Sequence, residues 1–164
     1  MLTFHRSFLA AAALTTLLMG ASANASVSVD FVDHERFTDL GDHPGQYDRN
    51  LEILKGSFVD NIGPCLAEGE RVEITVHNVD LAGFYQYWRP GPGVREMRDI
   101  DLPRIDLQYT HFSADGTIIA EGSERVADLN YLHRGTQRRV GRPETLRYEK
   151  DMIQRWSKKT FCDD

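Results

Sequence analysis

Apolar and polar residues alternate in four separate stretches of the chain. In SVSVDFV, Val27, Val29 and Phe31 share one face, and Ser28 and Asp30 share the other. In RVEITVHNV, Val72, Ile74 and Val76 oppose Glu73, Thr75 and His77. RIDLQYTHF sets Ile105, Leu107 and Tyr109 against Asp106, Gln108 and Thr110. TIIAEGSERVA sets Ile118, Ala120, Gly122 and Val126 against Glu121, Ser123 and Arg125. A period of two marks a half-buried strand. Between the first two strands the period changes: Tyr47, Leu51, Leu54, Phe58 and Ile62 recur at helical spacing, and Gly63-Pro64 ends the run. A second helix is expected to start near Pro143, a residue suited to a first helical position, with Tyr148, Met152, Ile153 and Trp156 as its apolar stripe. SADGT joins the last two strands as a tight turn, with Gly116 where positive φ is needed.

Every strand has one apolar and one polar face, so the sheet is covered on one side only. Both amphipathic helices then pack on that side. The expected fold is an α+β two-layer sandwich, a four-stranded mixed sheet with two helices on one face, in the order β-α-β-β-β-α. The first two strands, joined through a helix, are expected to run parallel with a right-handed crossover. The last two are expected to form an antiparallel hairpin.

The N-terminus sets where the domain is expected to work. MLTFHRSFLAAAALTTLLMGASANA carries Arg6, an apolar run from Phe8 to Gly20 and an Ala23-Asn24-Ala25 cleavage pattern. These are the three parts of a secretory signal peptide, assigned to residues 1–25, with a single α+β domain at residues 26–164. The run is shorter than the roughly 20 residues that span a bilayer, and no other stretch is apolar enough for a membrane span. The mature chain is expected to be periplasmic or secreted after cleavage following Ala25. The whole chain carries −6, and losing Arg6 leaves −7. That charge argues against nucleic acid or an anionic membrane as partner.

Export also bears on the cysteines, Cys65 and Cys162. If the third strand is antiparallel to the second, the first and fourth strands run the same way. The helix after each then returns along the sheet in the same direction, and the two helix C-termini share one edge. Cys65 lies three residues past Ile62, and Cys162 follows the second helix. An internal Cys65–Cys162 bond is therefore expected; the alternatives are a bond between chains and two free thiols.

Several chemistries are missing from the sequence. It holds no H-E-x-x-H, C-x-x-C, G-x-S-x-G or Walker loop, and no two histidines of the mature chain have local metal-ligand spacing. No cofactor, catalytic residue or metal ligand is assigned. DHERFTDLGDH concentrates Asp33, His34, Glu35, Asp39, Asp42 and His43. It reads first as a solvated loop and second as a metal holder.

Three constellations remain. LAGFYQYWRPGPGV, residues 81–94, places Phe84, Tyr85, Tyr87, Trp88 and Arg89 in a long Gly/Pro-rich connection. It is either a plug folded onto one end of the core or an exposed platform for a sugar ring or a peptide. HRGTQRRVGR carries Arg138 and Arg139 before the last helix, either a solvated basic loop or an anion site. RVADLNYLHRG ends the fourth strand on Asp128, Asn130 and Tyr131. This cluster is a structural lock reachable from Arg147 and Tyr148, with Asp128 or Asn130 bonding its own backbone two residues on, or else a binding site.

The blocks VSVDFVDHERFTDLGD, VDLAG, DIDLPRIDLQYT, ERVADLNYL and LRYEKDMIQRW, taken together, resemble the secreted bacterial family catalogued as domain of unknown function 3016. The resemblance runs from about Val27 to Phe161. One departure is His34, where the family often has proline. The resemblance implies an exported protein of a bacterial envelope and carries over no catalytic residue.

Two functions are carried forward. The first is a non-catalytic binding or accessory module for an envelope protein, peptide or glycan. It rests on the polar sheet face, the aromatic connection and the missing catalytic motifs. The second is a small carboxylate-dependent hydrolase using Asp80, Asp106 and Asp128.

Overall fold

The computed structural model describes residues 24–86, 88, 94–134 and 144–162. In chain order its main elements are β1 (Ser26–Phe31), α1 (Tyr47–Ile62), β2 (Arg71–Asp80), β3 (Phe84–Tyr85), β4 (Arg95–Glu96), β5 (Arg104–Phe112), β6 (Ile118–Ala127), α2 (Tyr131–Arg134) and α3 (Arg147–Ser157). The main sheet has the order β1-β2-β5-β6, with β1 parallel to β2 and the other pairs antiparallel. The fold is the expected α+β arrangement of a four-stranded mixed sheet and two main helices. The connection between β2 and β5 adds a two-stranded ribbon, β3 with β4, that alternation over so few residues cannot reveal.

The core forms where the apolar faces predict it. Leu54, Phe58 and Ile62 of α1 and Met152, Ile153 and Trp156 of α3 join Val72, Ile74, Val76, Ile105 and Leu107 of the sheet in one cluster. Filling such a layer supplies the main driving force of folding. Gly122 on β6 has a specific partner. The ring of Tyr109 covers it so closely that an added Cβ would lie 2.7 Å from a ring carbon. That ring in turn meets Trp156 and Phe161 edge-on, with centroids 5.8 and 5.4 Å apart.

Two local expectations change. The pairing of β5 with β6 slips at one end: His111 opposes Ala120, but Phe112 opposes Ile118. Ile119 is the extra residue of a bulge, and the slip moves Ile118 off the face of Ala120 and Gly122, where simple alternation had set it. Ile118 and Ile119 are both half exposed. The last helix begins at Arg147 rather than near Pro143, which lies outside the described residues. Leu146 precedes it in the left-handed region, at φ 53° and ψ 38°, and its carbonyl accepts the first helical bond from Lys150 N–H.

The parallel course of β1 and β6 brings the two helix ends together, as the topology requires. α3 continues through a π-helical turn, Lys158–Cys162, and Cys162 is bonded to Cys65. Their Cα atoms are 5.0 Å apart across a separation of 97 residues. Closing a loop of that length removes about 4–5 kcal/mol of unfolded-state entropy in the chain-entropy model. Denatured, unreduced protein is expected to show no titratable thiol. The Cys65→Ser, Cys162→Ser double variant is expected to lose about 2–5 kcal/mol in denaturant unfolding. Two free thiols in the unreduced protein would contradict the bond.

Candidate functional site

β2 runs four residues past the end of its parallel neighbour β1, from Val76 to Asp80, and the chain beyond the two strands builds one end of the domain. After β1 the segment Thr38-Asp39-Leu40-Gly41-Asp42 runs beside the end of β2: Asp39 N–H donates to Val79 O at 3.0 Å, and Asp39 bridges Asp80. Leu40 is buried, and its carbonyl accepts from Asn50 of α1 at 2.8 Å. This holds the Asp39 and Asp42 carboxylates on the same side, three residues apart. Beyond β2, Leu81 and Ala82 are buried and Gly83 turns the chain at φ +80°. A Cβ on Gly83 would stand 2.7 Å from Glu96 O, so both conformation and space demand glycine.

Arg95 of β4 ties these pieces together. Its Nη1 donates to Asp39 Oδ2 at 2.8 Å and to the carbonyls of Ala82 and Gly83 at 3.2 and 3.1 Å. Its Nη2 donates to Asp39 Oδ1 at 3.1 Å, and Nε donates to Asp42 Oδ1 at 2.9 Å. Burial by itself disfavours the guanidinium charge, but the bonds and charges of Asp39 and Asp42 outweigh it, and the Arg95 pKa is raised. A planar fork of donors suits this multiple grip, and a lysine could not reproduce it.

Glu149 of α3 closes the cluster. It is buried, and its Oε1 accepts Ala82 N–H at 2.7 Å. Burial pushes its carboxyl upward, against the smaller opposing effects of the Ala82 bond and Arg95. Two adjoining hollows of about 270 Å³ each flank the clasp, sharing Leu81, Arg95 and the left-handed Leu146. The first is floored by Leu81, Ala82, Met97 and Tyr148.

The β3–β4 ribbon separates these hollows from an aromatic ledge. Alternation along β4 puts Arg95 on one face and Glu96 on the other. On the second face Phe84 opposes Glu96, and Gln86 donates to Glu96 Oε2 at 2.5 Å. Trp88 leans on Phe84 with centroids 5.5 Å apart, and the Arg98 guanidinium lies 5.0 Å from the Phe84 ring centroid. Trp88 is 68% exposed. Tyr85 is half-buried. Tyr87, Arg89, Arg138 and Arg139 lie outside the described residues, as do residues 1–23 of the expected signal peptide. Nearby, Ile100 and Leu129 are exposed by 75% and 73%.

The strand-end cluster is engaged within the fold. Asp128 is buried, and its Oδ1 accepts Asn130 N–H at 3.1 Å, the expected turn two residues on. Its charged partner is Arg155, about two turns of helix beyond Arg147 and Tyr148, the residues expected to reach it. Arg147 instead donates to its neighbour Tyr148 at 3.0 Å. Tyr131 is buried, donates its hydroxyl to Arg98 O at 2.8 Å and meets Tyr148 edge-on at 4.8 Å. Asn130 is exposed. Asp80 and Asp106 also face arginines, Arg104 and Arg125. The hydrogen bond from Arg125 holds the Asp106 carboxyl below its ordinary range. Among the described residues no three His, Cys, Asp or Glu side chains converge as a metal site.

The chain belongs to the family described as Protein of unknown function (DUF3016), which matches residues 25–159. No curated protein and no solved structure matches the chain significantly.

Sequence reasoning passes over Arg95 and Glu149. For Glu149 a signal exists: it lies three and four residues before Met152 and Ile153, on the buried stripe of α3, where a charge must find a partner. Its raised pKa sets a pH dependence. A carboxyl raised on folding contributes stability in its protonated form; that contribution is present below the ordinary glutamate pKa of about 4.3 and lost as pH rises through the folded pKa. Glu149→Gln keeps the acceptor for Ala82 N–H and removes the titration. Denaturation midpoints at several pH values should show the variant gaining on the wild type as pH rises from about 4 to 8. A difference independent of pH would contradict the burial account.

Proposed function

We propose that the mature domain is a non-catalytic binding module of the bacterial envelope, acting after export. Its contact surface is the ledge of Phe84, Trp88 and Arg98, and its partner is an envelope protein, peptide or glycan. One observation carries the reading: a tryptophan left 68% exposed on a base fixed by Phe84 and Arg98. A large exposed ring leaning on Phe84 is available to stack on a sugar or an apolar side chain. Export is supported by the signal pattern of residues 1–25 and by the disulfide, which suits an oxidising compartment. Among the described residues no helix is long and apolar enough to cross a membrane.

The hydrolase reading draws less support. Its carboxylates Asp80, Asp106 and Asp128 are each engaged by a separate arginine, an arrangement that suits structural ion pairs better than a shared acid–base pair.

Titration of the mature protein with defined envelope glycan fragments and peptides, read by isothermal titration calorimetry, is expected to give a saturable heat change. Trp88→Ala should abolish it and leave the melting temperature unchanged. Turnover of any of these compounds, lost in Asp128→Asn, would favour the hydrolase instead.

A further inference from the structure

β6 ends the sheet, and among the described residues no strand pairs with its free edge. The strand, IIAEGSERVA, is ten residues long and holds neither proline nor lysine, two common guards of exposed edges. Its bulge lies at the start, around Ile119, and leaves residues 120–127 regularly paired with β5. On the polar face, Glu121 is exposed, and among the described residues it has no hydrogen bond or ion-pair partner. Arg125 on the same face spends Nε and Nη2 on Asp106, and among the described residues nothing engages its Nη1.

We propose that β6 is the interface of a symmetric homodimer, two copies pairing edge to edge and antiparallel about a two-fold axis at Ser123. The axis stands normal to the sheet, so the polar faces of both copies lie on one side and each residue meets a residue of its own face. Charge selects the register. An axis at Glu121, Glu124 or Arg125 sets identical charges directly opposite, which destabilises a pair. An axis at Gly122 sets Glu121 against Ser123 and gives Arg125 no charged partner. At Ser123, Glu121 meets Arg125 of the second copy twice over, and each Arg125 keeps its own Asp106 on the other side. In this register Glu124 meets Gly122, which has no side chain to obstruct it. Glu124 is exposed although it faces the helices and accepts Trp156 Nε1–H at 3.0 Å, so the inner flank of β6 has room for a second copy. The pairing joins the two sheets into one continuous sheet.

The mature chain is expected to sediment as a concentration-dependent dimer. Glu121→Arg places arginine opposite arginine twice and should weaken the dimer about tenfold or more. Ser123→Cys puts two thiols opposite each other at a Cα spacing of about 4.5–5.5 Å, within disulfide reach. It should form a covalent dimer on a non-reducing gel. Glu121→Cys leaves its two thiols about 13 Å apart and should not. A wild-type chain that stays monomeric at its highest soluble concentration would overturn the proposal. So would a dimer that Glu121→Cys cross-links and Ser123→Cys does not.

Discussion

A single guanidinium holds together the end of the domain where the parallel strands finish. Arg95 gathers two carboxylates from the segment after β1 and two carbonyls from the turn after β2. The same turn is held from the other side by Glu149 of α3, through Ala82 N–H. Three segments far apart in the chain, and the ribbon that carries Arg95 itself, are thereby fixed to one another. Each group would be costly to leave part-buried and unpaired, so the cluster is stable only as a whole.

The clasp also sets what the surface can offer. Because Arg95 spends its donors inward, the ribbon's other face is free to carry the ledge of Phe84, Trp88 and Arg98. Because Gly83 must turn tightly against Glu96, β3 starts where Phe84 can support Trp88. In the proposed function, an exposed ring already leaning on Phe84 would lower the ordering cost of binding. Along the edge of the sheet, β6 offers main-chain groups rather than rings.

The layered fold is legible in the sequence because each strand declares its faces by alternation and each helix by its stripe. From one-sided strands follow helices on one side, then parallel helices, then the meeting of Cys65 and Cys162. The Asx turn at Asp128 is legible too, because its bond spans only two residues. The clasp is not legible. Arg95 reaches Asp39 and Asp42 across 56 and 53 residues, and no periodicity records such a contact. The left-handed Leu146 is equally silent, since leucine is a poor signal for that conformation. The slip that moves Ile118 to the polar face arises from a bulge, which alternation cannot show.

The account stands on the clasp, and denaturant unfolding of Arg95→Met tests it most directly. Methionine retains much of the apolar stem and removes every donor. The variant is expected to lose about 2–4 kcal/mol, the cost of leaving part-buried ionic partners unpaired. A loss below about 1 kcal/mol, the range of a surface ion pair, would contradict the central role given to Arg95.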